Sequence, residues 1–321
     1  MTGSEVPHFV LLSGFLGSGK TTLLLEALRQ PDLSRTGVIV NEAGEIDIDG
    51  ATILSENDGL RLAKLSNGCV CCSMMTDLPM TVAALLDEVE TQGLPPLDRI
   101  VLEASGLSRP GPILRQLQGM PVRFTLSTAA TFDVEQGPVA ARAHDEVGAQ
   151  IVAAQTIVLT KTDRATPETT ARALALVREM NPLATIVDDS APGARARAAL
   201  GRPDAQLFVP PFEPVGADRA AHRGIRTFHL DPGGALPIDQ ALEWFDNLSS
   251  FLGERLLRCK AILSIEEGPA PLLVQGVGTV FDPPRALPEH VRDRGIVVIA
   301  RNVTRAELDA IPPGLRAVAR A

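Results

Sequence analysis

The sequence predicts an α/β fold, in which a doubly wound, mainly parallel sheet forms the first domain and a smaller α+β domain follows it. Strand and helix patterns alternate through about the first 190 residues, which is typical of βαβ units. The strand segments, such as 9–12 and 156–159, are almost entirely apolar, as parallel strands buried on both faces usually are. After a segment rich in Pro, Gly, Ala and Arg, the order of the elements changes. These three observations together predict two domains.

In the first domain, predicted at 1–190, each element follows from its own pattern. Strands are predicted at short aliphatic runs, namely 9–12, 36–40, 99–102, a run within 123–132, 156–159 and 184–187. Helices are predicted where apolar residues recur every three or four positions, namely at 22–28, 76–90 and 167–180. In such a sheet a ligand binds at the carboxyl ends of the strands, so the residues at those ends are the candidates for a site.

The rest of the chain divides into a predicted linker at 191–223 and a predicted α+β domain at 224–321. The linker is predicted because no apolar periodicity is visible in it. In the second domain, strands are predicted at 224–230, 260–265, 271–281 and 296–300, and a helix at 238–252. Thr304 and Glu307 have the spacing of a capping box, which predicts that a final helix begins there.

Composition and charge narrow the classes of function. The chain has 321 residues, of which 45% are hydrophobic and 21% charged, enough for sizeable packed cores. Its net charge of −9 argues against a nucleic-acid surface and against electrostatic docking on an anionic membrane. No apolar run approaches the roughly 18 residues of a membrane span, and residues 1–10 lack the basic start of a signal peptide. We therefore expect a cytoplasmic protein.

The segment GFLGSGKTT at 14–22 satisfies the pattern G-x-x-x-x-G-K-[ST], the phosphate-binding loop, or P-loop. Glycines let the backbone direct several N–H groups at one phosphate, and the N-terminus of the following helix favours the same charge. Lys20 adds a charge for the outer phosphates, and the Thr21 hydroxyl suits Mg²⁺. The sequence thus predicts a P-loop nucleoside-triphosphatase domain. The residues predicted to bind the nucleotide here are Gly14, Gly17, Ser18, Gly19, Lys20, Thr21 and Thr22.

The segment TKTD at 160–163 indicates which base is bound. It follows an apolar strand, at the point where GTPases have an Asn-Lys-x-Asp loop. Asp163 would accept hydrogen bonds from guanine N1–H and the 2-amino group, a donor pair that adenine lacks, so ATP would leave a carboxylate unpaired. The aliphatic stem of Lys161 can cover the base. An ordinary polar turn between strand and helix is the alternative interpretation.

Glu103 is the candidate for the second acid of the magnesium site, because it ends a buried strand. The segment Glu103-x-x-Gly106 parallels the Asp-x-x-Gly of nucleotide hydrolases, and the Gly106 N–H is the candidate sensor of the γ-phosphate. The predicted catalytic set is Lys20, Thr21 and Glu103. An acid that merely caps the following turn is the alternative for Glu103.

Three of the four cysteines, Cys69, Cys71 and Cys72, occur within four positions, and Cys259 stands alone. Such crowding does not suit a disulfide framework, whereas thiolates suit Zn²⁺ or another borderline-soft divalent ion. The missing fourth ligand would be water, a second subunit or an acid such as Glu42. An incomplete site suits metal transfer better than a permanent structural site. Buried free thiols and a redox switch are the alternatives.

Taken together, these residues resemble the CobW-type GTPases, relatives of the metallochaperone GTPases UreG and HypB. The resemblance rests on 14–22, NEAGE at 41–45, NGCVCC at 67–72, EASGL at 103–107 and TKTD at 160–163, and extends to LLRCK at 256–260 and FDPPR at 281–285. The chain departs from the family at Ala43, where Phe is usual, at Thr160, where Asn is usual, and in lacking a histidine-rich tract.

The resemblance implies hydrolysis of GTP to GDP and phosphate, coupled to delivery of zinc or cobalt to a client metalloprotein. It implies GTP and Mg²⁺ as cofactors, held by Lys20, Thr21, Glu103 and Asp163, and a first switch loop at 41–50 with Glu42 near the metal. The sequence identifies no water-positioning residue and no arginine finger, so intrinsic turnover is expected to be slow.

Two alternative functions and one possible assembly stay open at this point. A metal- or redox-sensing nucleotide-binding module with little turnover is the alternative function. A small-molecule kinase is a third reading, and it would favour ATP. A metal- or nucleotide-dependent homodimer is a conjecture from the incomplete ligand set.

Overall fold

The structure is a computed structural model of the chain and describes residues 6–33, 35–40, 61–64, 74–120, 124–189, 191–201, 224–292 and 294–313. Contacts between Cα atoms divide the chain into two compact units. The first comprises Met1–Leu176 and Ala184–Leu207, and the second comprises Val177–Leu183 and Phe208–Ala321. Among the described residues, no helix combines the length and the apolar character needed to cross a membrane.

The first unit is built on a seven-stranded sheet in which every pair of neighbouring strands is parallel. Its strands are β1 (His8–Gly14), β2 (Thr36–Val40), β3 (Arg61–Lys64), β4 (Arg99–Glu103), β5 (Thr125–Asp133), β6 (Thr156–Thr160) and β7 (Thr185–Val187). Their order across the sheet is β3-β2-β4-β1-β5-β6-β7, so β1 lies at the centre. The predicted doubly wound, parallel α/β fold is confirmed.

Seven α-helices connect or follow these strands in the described part of the chain up to residue 201. They are α1 (Lys20–Leu28), α2 (Met74–Thr91), α3 (Pro110–Gln118), α4 (Gly137–Ala143), α5 (Asp145–Ala153), α6 (Pro167–Met180) and α7 (Pro192–Leu200). Both faces of β1 are covered, because Phe9 and Leu11 are fully buried and so are the alternate residues Val10 and Leu12. Val10 and Leu12 share a core cluster with α1.

Residues 192–200, which belong to the predicted linker at 191–223, form the helix α7. This helix contacts α1, where Ala196, Ala199 and Leu200 are buried in the same core cluster. Arg195 Nε donates to Glu26 Oε2 of α1 at 2.7 Å, which ties the two helices together. Two of these three buried side chains are small alanines, so the periodicity of α7 is not visible in an Ala- and Arg-rich sequence. Residues 202–223 of the predicted linker lie outside the described residues.

The second unit contains an antiparallel six-stranded sheet and a long helix. Its elements are β8 (Ile225–Leu230), α8 (Ile238–Leu252), β9 (Leu256–Ile265), β10 (Gly268–Val277), β11 (Val280–Phe281), β12 (Arg285–Ala286), β13 (Gly295–Arg301) and α9 (Arg305–Asp309). The strand order is β11-β10-β9-β13-β8, with β12 pairing with β10. The predicted strand at 271–281 is two strands, β10 and β11, because Gly278 turns the chain with a φ of 58°. The predicted smaller α+β domain is confirmed as a fold.

One local prediction in the second unit is also confirmed. The capping box is present, since the Thr304 hydroxyl accepts from the Glu307 N–H and the Glu307 carboxylate accepts from the Thr304 N–H. Cys259 is fully buried in the core cluster that includes Trp244 and Phe245 of α8. Burial raises the pKa of the Cys259 thiol, so this side chain behaves as a small apolar group rather than as a metal ligand.

Candidate functional site

The P-loop connects β1 to α1 at the carboxyl edge of the sheet, where the sequence predicts a phosphate site. Gly14 has a φ of 142°, and a Cβ there would lie 2.3 Å from Thr131 Oγ1, so only glycine fits. Gly17 and Gly19 also have positive φ, of 68° and 95°. Ser18 Oγ donates to Phe15 O at 2.7 Å and lies 2.7 Å from Thr131 Oγ1. These contacts hold the loop against β5 in a curled conformation.

Lys20 folds back over the P-loop. Its Nζ donates to Phe15 O at 3.3 Å, and only 4% of the residue is exposed. The ammonium group therefore lies over the curved backbone of the P-loop. This is the position from which it can neutralise the oxygens of a bound phosphate.

Thr21 and Glu103 contact each other directly, although 82 residues separate them. Thr21 Oγ1 donates to Glu103 Oε1 at 2.7 Å, and Glu103 is 3% exposed. The contact forms because β4 pairs with β1, with Glu103 opposite Leu12, so the end of β4 lies beside the P-loop. A hydroxyl and a carboxylate oxygen at this distance are hard ligands that fit Mg²⁺. The structure thus brings together two residues that the sequence predicts for one magnesium site.

The turn between β4 and α3, residues 104–109, lies against the P-loop, and we call it the Gly106 turn. A Cβ at Gly106 would lie 2.6 Å from the backbone N of Leu16, which is possible only if the two backbones touch. The Ser108 N–H donates to Ser105 O at 2.9 Å and closes the turn. The Gly106 turn is therefore beside the loop whose phosphate it is predicted to sense.

The TKTD segment reaches the P-loop through its first residue. Thr160 Oγ1 donates to Ser18 O at 2.7 Å, so the threonine that replaces the usual asparagine ties the TKTD segment to the P-loop. Lys161 has a φ of 59°, a left-handed conformation that is uncommon for a residue with a side chain. The Asp163 side chain is 81% exposed, with Arg164 Nε at 4.0 Å from its carboxylate. Its carboxylate is accessible to a ligand.

Two profiles of known protein families match the chain. The family profile "CobW/HypB/UreG, nucleotide-binding domain" matches residues 8–188, and the profile "Cobalamin synthesis protein cobW C-terminal domain" matches residues 225–311.

The chain belongs to the CobW/HypB/UreG family.

The chain is similar to two curated family members along almost its whole length. It is 28% identical over 341 residues to the zinc chaperone CobW of Pseudomonas aeruginosa, which covers 93% of this chain and 88% of that protein. It is 29% identical over 316 residues to the zinc chaperone YjiA of Escherichia coli, which covers 95% and 98% of the two chains. The crystal structure of Zn(II)-bound YjiA GTPase from E. coli matches with a TM-score of 0.69 at 23% identity, covering 98% of this chain and all of that one. That likeness shows the fold.

The predicted metal-binding residues belong to parts of the chain outside those that the structure describes. Cys69, Cys71, Cys72 and Glu42 all lie outside the described residues, as does the predicted switch loop at 41–50. Within the described ranges, no three His, Cys, Asp or Glu side chains form a group that could hold a metal ion. The cysteine site therefore stays a prediction from the sequence.

Asp133 is a candidate functional residue that the sequence analysis missed. It ends β5, is buried, and lies 2.6 Å from Lys161 Nζ through its Oδ2. Its Oδ1 accepts from the backbone N–H groups of Glu135 and Gln136 at 2.8 and 3.0 Å. It therefore holds the lysine that is predicted to cover the base. An acidic residue at the carboxyl end of a buried strand, like Glu103, is the signal that could have identified it.

The charge state of Asp133 is set by these partners. Burial alone would raise the pKa of Asp133, but the Lys161 ammonium and the N–H groups of Gln136 and Glu135 lower it overall. Because this pKa lies below the ordinary value of 3.8, the ionised carboxylate stabilises the fold above that pH. The contribution is lost as the pH falls through the lowered pKa.

Asp133→Asn is expected to lower the free energy of unfolding by about 1–3 kcal/mol at pH 7, because it removes the charge of a buried carboxylate that pairs with the partly exposed Lys161. The loss should shrink as the pH falls from 3.8 through the lowered pKa of Asp133, where the wild-type carboxylate also becomes protonated. Urea unfolding at pH 7 and at low pH measures both quantities. Asp98→Asn is the matched control, since its ion pair with Arg35 is exposed and should contribute about 0–1 kcal/mol. Equal losses for the two variants would contradict the role assigned to Asp133.

Proposed function

We propose that this chain is a GTP-hydrolysing metallochaperone, which binds a divalent transition metal at Cys69, Cys71 and Cys72 and delivers it to a client metalloprotein. The state of the nucleotide would control the metal site. The observation that carries the nucleotide part is the contact of Thr21 with Glu103 at the end of a curled P-loop. The metal part is supported by family membership and by the names of the two relatives, both zinc chaperones, that match almost the full chain. Zinc is the metal we favour, with cobalt as the other candidate.

Each residue around the P-loop has a part in phosphoryl transfer. Mg²⁺ would be held by Thr21 and, directly or through a water, by Glu103, and when bound it supplies positive charge to the phosphate oxygens. Lys20 stabilises the charge that develops on the outer phosphates. Backbone N–H groups of the P-loop orient the nucleotide, and the Gly106 N–H contacts the γ-phosphate. These groups stabilise a charged transition state that forms only while the γ-phosphate is transferred.

The base is read by the TKTD segment. Asp163 accepts the two donors of guanine, and its exposure leaves it accessible to them. Asp133 fixes the ammonium end of Lys161, so the aliphatic stem of that lysine can lie over the base. Thr160 sets the distance between this segment and the phosphates through its bond to Ser18.

The proposed metal site lies, in sequence, between the two loops that a γ-phosphate would order. Residues 41–50 precede the cysteines and the Gly106 turn follows them. A γ-phosphate that orders both loops would align Cys69, Cys71 and Cys72, with Glu42 completing the ligand set, and its loss would free the ion for the client. An ion held by ligands from two copies would link the chain into a metal- or nucleotide-dependent homodimer. The domain bounds 1–190 and 224–321 belong to the same proposal.

The nucleotide assignment predicts that GTP binds about 100-fold or more tightly than ATP, because adenine leaves the Asp163 carboxylate unpaired. Asp163→Ala should reduce this preference to within about tenfold, since the residue that distinguishes the bases is gone. Calorimetric titration of the wild type and the variant with each nucleotide measures the ratio. Asp246→Ala, an exposed acid on α8 of the second unit, is the control. Equal or tighter binding of ATP by the wild type would contradict a GTPase and favour a small-molecule kinase.

A further inference from the structure

The Gly106 turn is held by a buried glutamine that neither the sequence motifs nor the proposed mechanism uses. Gln150 lies on the buried face of α5 and is 1% exposed. Its Nε2 donates to Gly106 O and to Ser108 O, both at 2.9 Å. A single side chain therefore binds two carbonyl groups of the turn that is predicted to sense the γ-phosphate.

The chemistry of these two bonds requires a primary amide. An amide nitrogen carries two hydrogens in one plane, so it can donate to two carbonyl oxygens at once. Gly106 and Ser108 are both buried, so their carbonyl groups have little access to water if the amide is removed. A carboxylate of the same shape has no hydrogen to donate, and a buried polar group that loses its partner is costly.

A salt bridge also joins α5 to the end of the Gly106 turn. Arg109 Nη2 lies 3.0 Å from Glu146 Oε1, and Glu146 is one helical turn before Gln150 on α5. The pKa of Glu146 is lowered mainly by its own backbone N–H; burial opposes the shift, and Arg109 adds to it. Glu146 and Gln150 share one face of α5, because residues four apart on a helix are neighbours. α5 therefore fixes the Gly106 turn at three points.

We propose that Gln150 is a positioning residue that sets the Gly106 N–H for the γ-phosphate and so makes the chain distinguish GTP from GDP. Gly106 is in contact with the P-loop backbone at Leu16, so a small displacement of the turn changes its distance to any phosphate in the loop. A turn fixed before the nucleotide binds loses little freedom on binding, and this favours the nucleotide that contacts it. GDP has no γ-phosphate and gains nothing from the turn. This inference rests on the proposed GTP-binding function.

The test compares the affinities of a non-hydrolysable GTP analogue and of GDP in the wild type and three variants. Gln150→Glu keeps the shape of the side chain and removes both donated hydrogen bonds. We expect affinity for the analogue to fall about tenfold and affinity for GDP to change less than about twofold. Gln155→Glu is the matched control, because the Gln155 side chain accepts from the Thr128 N–H and the variant keeps that oxygen. The ratio of analogue affinity to GDP affinity in Gln155→Glu should equal that of the wild type.

Glu146→Gln covers the case in which Gln150→Glu does not fold. It weakens the half-exposed salt bridge to Arg109 without leaving a buried group unpaired. We expect the ratio of analogue affinity to GDP affinity to fall about threefold. The assignment of Gln150 as a positioning residue would be overturned if folded Gln150→Glu or Glu146→Gln kept the wild-type ratio of analogue affinity to GDP affinity. It would also be overturned if the two affinities fell together, which would indicate a purely structural role. Failure of the wild type to bind the analogue would overturn the proposed function itself, and this outcome is distinct because it appears before any variant is made.

Discussion

Lys20→Ala is expected to lower the rate of GTP hydrolysis by about 10²–10³-fold at saturating GTP and Mg²⁺. The reason is that Lys20 is buried over the P-loop with its ammonium 3.3 Å from Phe15 O, where it can meet charge on the transferred phosphoryl group. Among the described residues, the Lys20 ammonium donates to a backbone carbonyl of the same loop, and the fold should survive the loss of this bond. Release of phosphate, followed under single-turnover and steady-state conditions, measures the effect.

The control for Lys20→Ala is Arg29→Ala. Arg29 is an exposed cation at the other end of α1, so its removal changes the charge of the same helix without touching the P-loop. We expect hydrolysis by this variant to stay within about twofold of the wild type, because exposed charges contribute little at this distance in salt. Hydrolysis at the wild-type rate by Lys20→Ala would show that the assigned loop is not the catalytic one.

Replacement of Cys69, Cys71 and Cys72 by serine is expected to weaken zinc binding in the GTP–Mg²⁺ form by about 10³-fold or more. Thiolates supply most of the binding free energy of a zinc site, which is about 10–16 kcal/mol in small zinc-binding peptides, and a hydroxyl is a poor substitute. GTP affinity should stay within about threefold, because none of the three cysteines belongs to the P-loop. Competition with a chelating indicator measures the zinc affinity.

Cys259→Ala is the matched control for the triple variant. Its thiol is fully buried and its pKa is raised by that burial, so it stays protonated and does not compete for zinc. Zinc affinity in this variant should equal that of the wild type. A triple variant that keeps wild-type zinc affinity in the GTP–Mg²⁺ form would refute the cysteine assignment.

The P-loop and the two elements that flank it are continuous in sequence, and this part of the site could be predicted well. β1, the P-loop and α1 form one continuous pattern, and Lys20 and Thr21 have their positions within it because the motif itself sets the local backbone. Glu103 was predictable for a related reason. It ends a strand of a parallel sheet, and the carboxyl ends of neighbouring parallel strands meet at one edge. The 2.7 Å contact with Thr21 is the consequence.

The contacts that were missed join residues far apart in sequence. Asp133 meets Lys161 only because β5 and β6 are neighbours in the sheet, and a lone acid at a strand end carries no motif. Gln150 lies 44 residues from Gly106, and a glutamine on an amphipathic helix is normally read as a surface residue. α7 was missed because its buried face consists mostly of alanine. In each case the tertiary partner decides the role, and sequence periodicity does not name that partner.

The measurement that tests the central claim most directly is a zinc titration of the wild-type chain in three states: without nucleotide, with GDP, and with a non-hydrolysable GTP analogue and Mg²⁺. We expect zinc affinity to differ by about tenfold or more between the GTP-analogue and GDP states. Thermodynamic linkage then requires zinc to change the ratio of analogue to GDP affinity by the same factor. Zinc affinity that is equal in all three states would contradict the proposal that the nucleotide controls the metal site.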